Sequence, residues 1–236
     1  MQKIYKNIFL ILFFGHITFI NYLSSENELN QITKNENQEI FQYKVKEHLK
    51  PKSLYGISEK QIDEHWKLYK GYVEQVNKLN NELNKLRHEG KGSTLDYSDR
   101  RRRYGFEYNG MVLHEYYFEN LKKSKKNKPS VELISSIKKS FGSYENWLND
   151  FKQAGKTRGI GWAILCADPV NSDNLINIFV QDHENGNIAS YKLILVMDVW
   201  EHAYMVDWGA TERPNYIDAF IDNVNWEIVN RRFIKN

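Results

Sequence analysis

The feature that most constrains this chain lies near its C-terminus, where an apolar run over 194–197 ends on the string Asp-Val-Trp-Glu-His at 198–202. A run of apolar and β-branched residues is typical of a buried strand. The string that follows places the carboxylate of Asp198 and the imidazole of His202 four residues apart, at the point where the strand ends. The same pair could instead be a helix N-cap and a core histidine, so a metal site requires further ligands elsewhere.

The first half of the chain predicts two long helices. Ser58 and Gln61 match a capping box at the start of the first helix. Apolar side chains at three- and four-residue steps continue that helix as far as Gly90. After a turn over 90–98, a second helix is expected from residue 98 to about residue 121. Two helices joined by so short a turn form an antiparallel hairpin.

Each of these helices carries one histidine on its inward face, His65 on the first and His114 on the second. A single histidine on an apolar face is more often a hydrogen-bonded core residue than a ligand. Two such faces can nevertheless converge with Asp198 and His202 on one metal ion. Neutral imidazoles and a carboxylate suit iron or manganese with an open position.

The second half of the chain predicts short helices and a few strands. A lysine-rich linker over 122–129 marks the boundary between a helical hairpin domain over 41–123 and a C-terminal domain over 129–236. Helices followed by a small cluster of strands indicate an α+β fold with an antiparallel sheet of about three strands. The predicted helices cover 131–141, 144–153, 200–207, 214–223 and 225–232, and the predicted strands lie near 161–167, 174–181 and 192–197.

Residues 1–25 have the layout of a secretory signal peptide, with two lysines, a largely apolar stretch and no acid before Glu26. The apolar stretch is short for a membrane span, which needs roughly 20 residues. Tyr22 and Leu23 make a poor cleavage site, so an uncleaved N-terminal anchor is the alternative to secretion. A mitochondrial presequence is a further alternative, disfavoured because the segment contains no arginine. We expect an exported or anchored protein, with a polar linker over 26–40.

The charge of the remaining chain argues against nucleic-acid binding. Residues 1–25 hold two of the 33 basic residues and none of the 30 acidic ones, which leaves a net charge of +1. A nucleic-acid interface would need a broad basic face with interleaved aromatic side chains, and the sequence shows none.

The string Asp-Val-Trp-Glu-His-Ala-Tyr at 198–204 resembles the signature of the iron/manganese superoxide dismutases. The segments around His65 and His114 are also similar to that family, and the resemblance spans roughly residues 41–233. It implies one Fe or Mn ion per subunit and conversion of superoxide to O₂ and H₂O₂. The ligands that it implies are His65, His114, Asp198 and His202.

Four more residues match active-site positions of the family. Tyr72 matches the active-site tyrosine, Trp162 and Trp200 match tryptophans beside the metal, and Arg213 matches the arginine that lines the substrate funnel. Outside this family the aromatic residues would be explained by core packing and Arg213 by a surface helix start. Tyr72 follows His65 by seven residues, where most relatives have eight. Seven keeps both on one face of a regular helix.

Most members of the family place a Gln or a His beside the metal-bound solvent. One version comes from the second helix, at the position of Gly110 here, which has no side chain to offer. The other comes from the middle strand, where His183 and Gln181 are the candidates. His183 is favoured because it precedes Asp198 by fifteen residues; outside the family it would be taken for an exposed loop residue.

The resemblance also implies a homodimer or a homotetramer. Glu201 matches the residue that bonds the ligand histidine of the partner subunit in the family. Tyr69 and Met205 replace a His and a Tyr that meet across the interface, which indicates a compensated change in proton delivery. The four arginines over 100–103 predict a solvated helix start, with guidance of the superoxide anion as the alternative. A membrane partner is expected only if the N-terminal segment is uncleaved.

Two other functions compete with this one. A non-catalytic member of the same fold, acting as an interaction or structural protein, should lose metal ligands first, and this chain keeps all four. A non-haem iron oxygenase commonly uses two histidines and one carboxylate with two or more open positions, so the third histidine argues against it.

Overall fold

The computed structural model describes residues 40–124 and 128–234. The chain from Gln42 onwards forms one compact unit. The predicted signal segment over 1–25 and nearly all of the polar linker over 26–40 lie outside the described residues. Among the helices that are described, none is long and apolar enough to cross a membrane.

Two long helices pack against each other in the first half of this unit, α1 (Glu59–His88) and α2 (Leu95–Glu119). The predicted N-cap of α1 is confirmed, because the Ser58 hydroxyl accepts the backbone N–H of Gln61 at 3.1 Å. Helix α2 begins three residues earlier than predicted. The hydroxyl of Thr94 caps it, whereas the hydroxyl of Ser98 donates to the Thr94 carbonyl one turn inside the helix.

The predicted α+β class with a three-stranded antiparallel sheet is confirmed. The strands run in the spatial order β2-β1-β3, so β1 lies in the middle and is buried along its whole length. Trp162 on β1 pairs with Asp198 on β3 across the ladder, which brings one predicted active-site residue beside another. The remaining elements are α3 (Val131–Phe141), α4 (Tyr144–Lys156), β1 (Gly161–Ala167), β2 (Leu175–Gln181), β3 (Lys192–Asp198), α5 (Arg213–Asp222) and α6 (Trp226–Ile234).

The predicted helix over 200–207 is wrong. A single 3-10 turn, Glu201–Ala203, follows β3, and the chain continues in turns as far as Trp208. An α-helix here would need the Val206 N–H to reach the His202 carbonyl. Both groups bond the side chain of Gln61 instead, at 2.9 Å and 2.6 Å. The amide of Gln61 therefore stands in place of a helical hydrogen bond and prevents the helix from forming.

Candidate metal centre

Four side chains from separate elements converge on one point. His65 of α1, His114 of α2, Asp198 at the end of β3 and His202 of the 3-10 turn offer ligand atoms that all lie within 4.8 Å of one another. Asp198 Oδ2 is 3.1 Å from His65 Nε2, 3.2 Å from His202 Nε2 and 3.6 Å from His114 Nε2. Three of the four are buried, and His202 is partly exposed. The arrangement has one side open to solvent, at His202.

His114 carries its proton on the ring nitrogen that faces away from Asp198, which leaves its other ring nitrogen able to bind a cation. Its Nδ1 lies 2.6 Å from the carbonyl oxygen of Gly110, which can only accept, so Nδ1 carries the proton. Its Nε2 is buried and has no hydrogen-bond partner in the described part of the chain. A lone pair is thus aimed at a carboxylate with no hydrogen between them, an arrangement that a bound metal ion relieves. Three imidazoles and one carboxylate are ligands that suit Fe or Mn.

The charges of the centre are also arranged for a cation. Burial lowers the pKa of His65 and lowers the pKa of His114 well below its usual value, which keeps both rings neutral near pH 7. Burial alone would raise the pKa of Asp198, but the neighbouring His202 and His65 hold it well below its usual range. The centre therefore presents a carboxylate and the two neutral imidazoles of His65 and His114 to the ion.

Asp198 is held in place from two directions. Its Oδ1 accepts the backbone N–H of Trp200 at 2.8 Å, and its backbone carbonyl accepts the hydroxyl of Tyr216 at 2.7 Å. With Oδ1 occupied by the backbone, Oδ2 is the oxygen that faces the imidazoles. Contacts of this kind fix a ligand's orientation and tune the metal that it binds.

The loop that carries His202 is held by Gln61, a residue that the sequence assigned only to a capping box. Gln61 is 1% exposed, and its amide bridges the His202 carbonyl and the Val206 N–H. The backbone N–H of Ser58, which a full capping box would give to Gln61, donates instead to Asp207 Oδ2 at 2.6 Å. The start of α1 is thereby joined to the ligand loop by three hydrogen bonds. No signal in the sequence marks this role, because a glutamine at this position also fits a capping box.

His183, Tyr72 and Trp162 form a hydrogen-bonded chain beside the centre. His183 is completely buried, although it follows a strand end, because Asp182 before it turns the backbone through a φ of 53°. The indole N–H of Trp162 donates to His183 Nδ1 at 3.0 Å, and His183 Nε2 lies 2.8 Å from the Tyr72 hydroxyl. Burial lowers the pKa of His183 to about 4, so the ring is neutral near pH 7.

The tautomer of His183 follows from these partners. An indole N–H can only donate, so Nδ1 accepts and the single ring proton resides on Nε2. His183 therefore donates to the oxygen of Tyr72, and the Tyr72 hydroxyl hydrogen is left for another acceptor. Burial also raises the pKa of Tyr72 well above its usual value, which keeps the hydroxyl protonated. The seven-residue step from His65 thus still brings Tyr72 to the site, on a continuous α-helix.

The other candidates for the family's Gln or His are placed as follows. Gln181 is exposed at the end of β2. At Gly110 a Cβ atom would lie 2.6 Å from the ring of Tyr72, so this tyrosine occupies the space that a side chain there would need. Trp200 stacks on His183 and His202, with ring centroids 4.9 and 5.5 Å apart.

Arg213 and Tyr69, two further predicted site residues, make hydrogen bonds within the chain. Arg213 donates to the carbonyls of Thr157 and Gly159, both at 2.8 Å, and among the described residues it does not line the cavity that reaches His202. Tyr69 is completely buried within the chain, and its hydroxyl bonds Glu115 at 3.1 Å. The side chain is thus packed within one chain, and its place near a subunit interface stays a prediction, as does the substrate-funnel role of Arg213. The periodicity of α1 marks Tyr69 as inward-facing, and interior contacts explain its position.

The open side of the centre faces a cavity of about 840 Å³. Tyr72 and His202 line it, together with the charged side chains of Glu64, Lys67, Arg103 and Glu107. A small molecule in this cavity would therefore meet the Tyr72 hydroxyl and the exposed face of the ligand set.

A helical hairpin, a three-stranded antiparallel sheet and a buried centre of three histidines and one aspartate define a mononuclear metalloenzyme with one open side. Residues 129–232 match the family of iron/manganese superoxide dismutases, C-terminal domain. The chain belongs to the iron/manganese superoxide dismutase family, because it is similar to relatives over most of their length.

Three of these relatives illustrate the range of the similarity. A superoxide dismutase [Fe] of Aquifex pyrophilus is 37% identical over 195 residues, which is 80% of this chain and 90% of the relative. A superoxide dismutase [Fe] of Methanothermobacter thermautotrophicus is 34% identical over 75% of this chain and 86% of the relative. A superoxide dismutase [Mn] of Haloarcula marismortui is 40% identical over 50% of this chain and 57% of the relative. Relatives named for either metal are therefore similar to this chain.

Proposed function

We propose that this chain is a superoxide dismutase, which converts two superoxide anions and two protons to O₂ and H₂O₂. The observation that carries the proposal is the set of four ligand atoms within 4.8 Å of one another, with the buried lone pair of His114 aimed at Asp198. An Fe or Mn ion held by these ligands supplies a one-electron couple that can both oxidise and reduce superoxide.

The chain's own residues hold one of the two protons that peroxide formation requires. The His183 Nε2–H bonds the oxygen of Tyr72, which directs the Tyr72 hydroxyl hydrogen to another acceptor. Tyr72 also lines the cavity through which a small anion would arrive. The indole N–H of Trp162 fixes the tautomer of His183, and Trp200 stacks on the same imidazole ring. We therefore assign proton delivery to Tyr72 and His183.

The ligand assignment is tested by replacing His114 with alanine. His114→Ala should abolish bound metal and dismutation together, because an incomplete ligand set is left. The matched control is His48→Ala, since His48 is exposed and lies outside the centre. Stoichiometric metal with full activity in His114→Ala would contradict the assignment. Metal analysis of the active wild-type protein decides between Fe and Mn.

The role of His183 is tested against Gln181. His183→Ala should lower activity about 10- to 100-fold with the metal still bound, as is typical when a residue next to the ligands is lost. Gln181→Ala should leave activity unchanged, because that side chain is exposed. The reverse ranking would move the role to Gln181.

We also infer a homodimer that uses the surface around His202. Glu201 is exposed beside this ligand, and the apolar side chains of Leu68, Met205 and Val206 are 40%, 45% and 39% exposed. Neighbouring apolar side chains at a surface favour a protein partner, here a second copy of the chain. Leu68 and Val206 also line the cavity at the centre, so the second copy would border the entrance to that cavity. Sedimentation equilibrium should give twice the subunit mass, and Met205→Glu should shift it towards the monomer. A stable monomer would refute the inference, and a mass of four subunits would show the tetramer.

For location, we propose export or anchoring by residues 1–25, on the basis of their two lysines and apolar stretch. Cell fractionation with N-terminal sequencing should find the protein outside the cytosol, either starting near Glu26 or tethered by the intact segment. Soluble full-length protein confined to the cytosol would refute export, and recovery from a mitochondrial matrix would favour the presequence.

A further inference from the structure

We propose that Arg103 and Glu107 form an ordered charge pair at the cavity that controls how readily superoxide reaches the metal centre. The two residues lie one turn apart on α2, and both line the cavity together with Tyr72 and His202. This proposal rests on the proposed dismutase function and adds a role for residues outside the ligand set.

The two charges of the pair differ in depth. The side chain of Arg103 is 56% exposed and that of Glu107 only 6% exposed. Arg103 Nε and Nη2 lie 2.7 and 2.5 Å from Glu107 Oε1, and the guanidinium lies over the ring of Phe106 at 4.2 Å. The cation therefore faces solvent while the carboxylate lies behind it. An approaching anion meets the positive end of the pair first.

Arg103 differs from the other three arginines over 100–103 because it lines the cavity. Arg100 bonds Glu82, Arg101 bonds Tyr97 and Arg102 bonds Asp99. Within the described part of the chain, Arg103 is the one of these four that lines the cavity. Guidance of the superoxide anion, which the sequence left open for all four arginines, is thus assigned to Arg103.

The cavity that the pair lines is the one that reaches the ligand set, because Tyr72 and His202 line it as well. Without Arg103, the buried carboxylate would face the cavity uncompensated and repel a monovalent anion. Without Glu107, the full positive charge of Arg103 would attract the anion more strongly.

The experiment measures kcat/KM of the metal-loaded enzyme for superoxide as a function of ionic strength. Arg103→Gln should lower kcat/KM roughly three- to tenfold at low salt and less at high salt, with kcat unchanged, because charges steer association and salt screens them. Glu107→Gln should raise kcat/KM at low salt. Arg103→Lys should stay close to wild type, and the double variant Arg103→Gln/Glu107→Gln should restore most of the loss.

The matched control is Arg102→Gln, which removes the same charge from the adjacent position but not from the cavity. Equal losses in Arg102→Gln and Arg103→Gln, or a slower Glu107→Gln enzyme, would overturn the proposal. A second measurement is the optical titration of each metal-loaded variant with azide, a small monovalent anion. Its Kd should rise in Arg103→Gln and fall in Glu107→Gln. Because this titration requires no dismutation, it separates failure of the charge pair from failure of the proposed activity.

Discussion

Replacing Gln61 with methionine should loosen the loop that carries His202. The substitution keeps the length of the side chain but removes both hydrogen bonds of its amide, at 2.6 Å to the His202 carbonyl and 2.9 Å from the Val206 N–H. A buried polar group left without a partner costs about 1–3 kcal/mol. These two backbone groups are only partly buried, so the low end applies to each, and the total loss is about 2 kcal/mol. For a unit of this size, the melting temperature should fall by about 4–8 °C.

The same substitution should also lower the affinity for the metal. Loss of a contact that orients a ligand typically lowers metal affinity about 10- to 100-fold, which is equivalent to about 1.4–2.7 kcal/mol. The assay is competition with a chelator, together with melting curves of the metal-free and metal-loaded protein. A positioning role for Gln61 predicts a larger fall in melting temperature for the loaded protein than for the metal-free one, because weaker binding stabilises the folded state less.

Two further variants make the test decisive. Gln61→Glu keeps an acceptor for the Val206 N–H and should lie between wild type and Gln61→Met. Gln153→Met changes an exposed glutamine on α4 and should alter neither quantity. If Gln61→Met melted at a lower temperature but bound metal as tightly as wild type, its role would be structural only. Unchanged melting and binding would refute the reasoning altogether.

Three other predictions follow from the hydrogen-bonded chain beside the centre. Gly110→Ala should lower activity about 10- to 100-fold with metal retained, because its Cβ displaces the ring of Tyr72; activity and metal assays check this. Trp162→Phe should allow both tautomers of His183, which nitrogen NMR of the metal-free protein would detect as mixed ring shifts, and a single unchanged tautomer would contradict the assignment. The pKa of His183 is lowered to about 4 in the folded protein, so the unfolded chain binds more protons between pH 6.5 and 4. As the pH falls through that range, wild type should therefore lose about 3 kcal/mol of stability relative to His183→Gln. Denaturant unfolding of the metal-free proteins at several pH values measures the difference, and parallel curves would disprove it.

Local patterns were sufficient to predict the elements that carry three of the four ligands. The helical periodicity around His65 and His114 and the apolar run before Asp198 are confirmed as α1, α2 and β3. In each case the residues that decide the structure are close neighbours in sequence. The inward face of a helix and the end of a buried strand can then be located without knowledge of the partner elements.

The features that could not be predicted depend on contacts between distant residues. The helix over 200–207 is prevented by Gln61, which lies 141 positions before His202, and no local pattern contains that information. Arg213 is drawn to the carbonyls of Thr157 and Gly159, 56 and 54 positions away. The start of α2 is a different kind of error, because both Thr94 and Ser98 are good capping residues and only the fold selects between them.

The distribution of the ligands along the chain has a consequence for protein synthesis. His65 and Asp198 are 133 positions apart; two of the four ligands come from the hairpin, one from the end of β3 and one from the 3-10 turn that follows it. While the polypeptide is being made, the first two histidines emerge long before the other two ligands exist. A complete site can form only after His202 has been synthesised and its loop has met α1. All four ligands can therefore bind the ion only late in synthesis, from whichever metals the compartment then supplies.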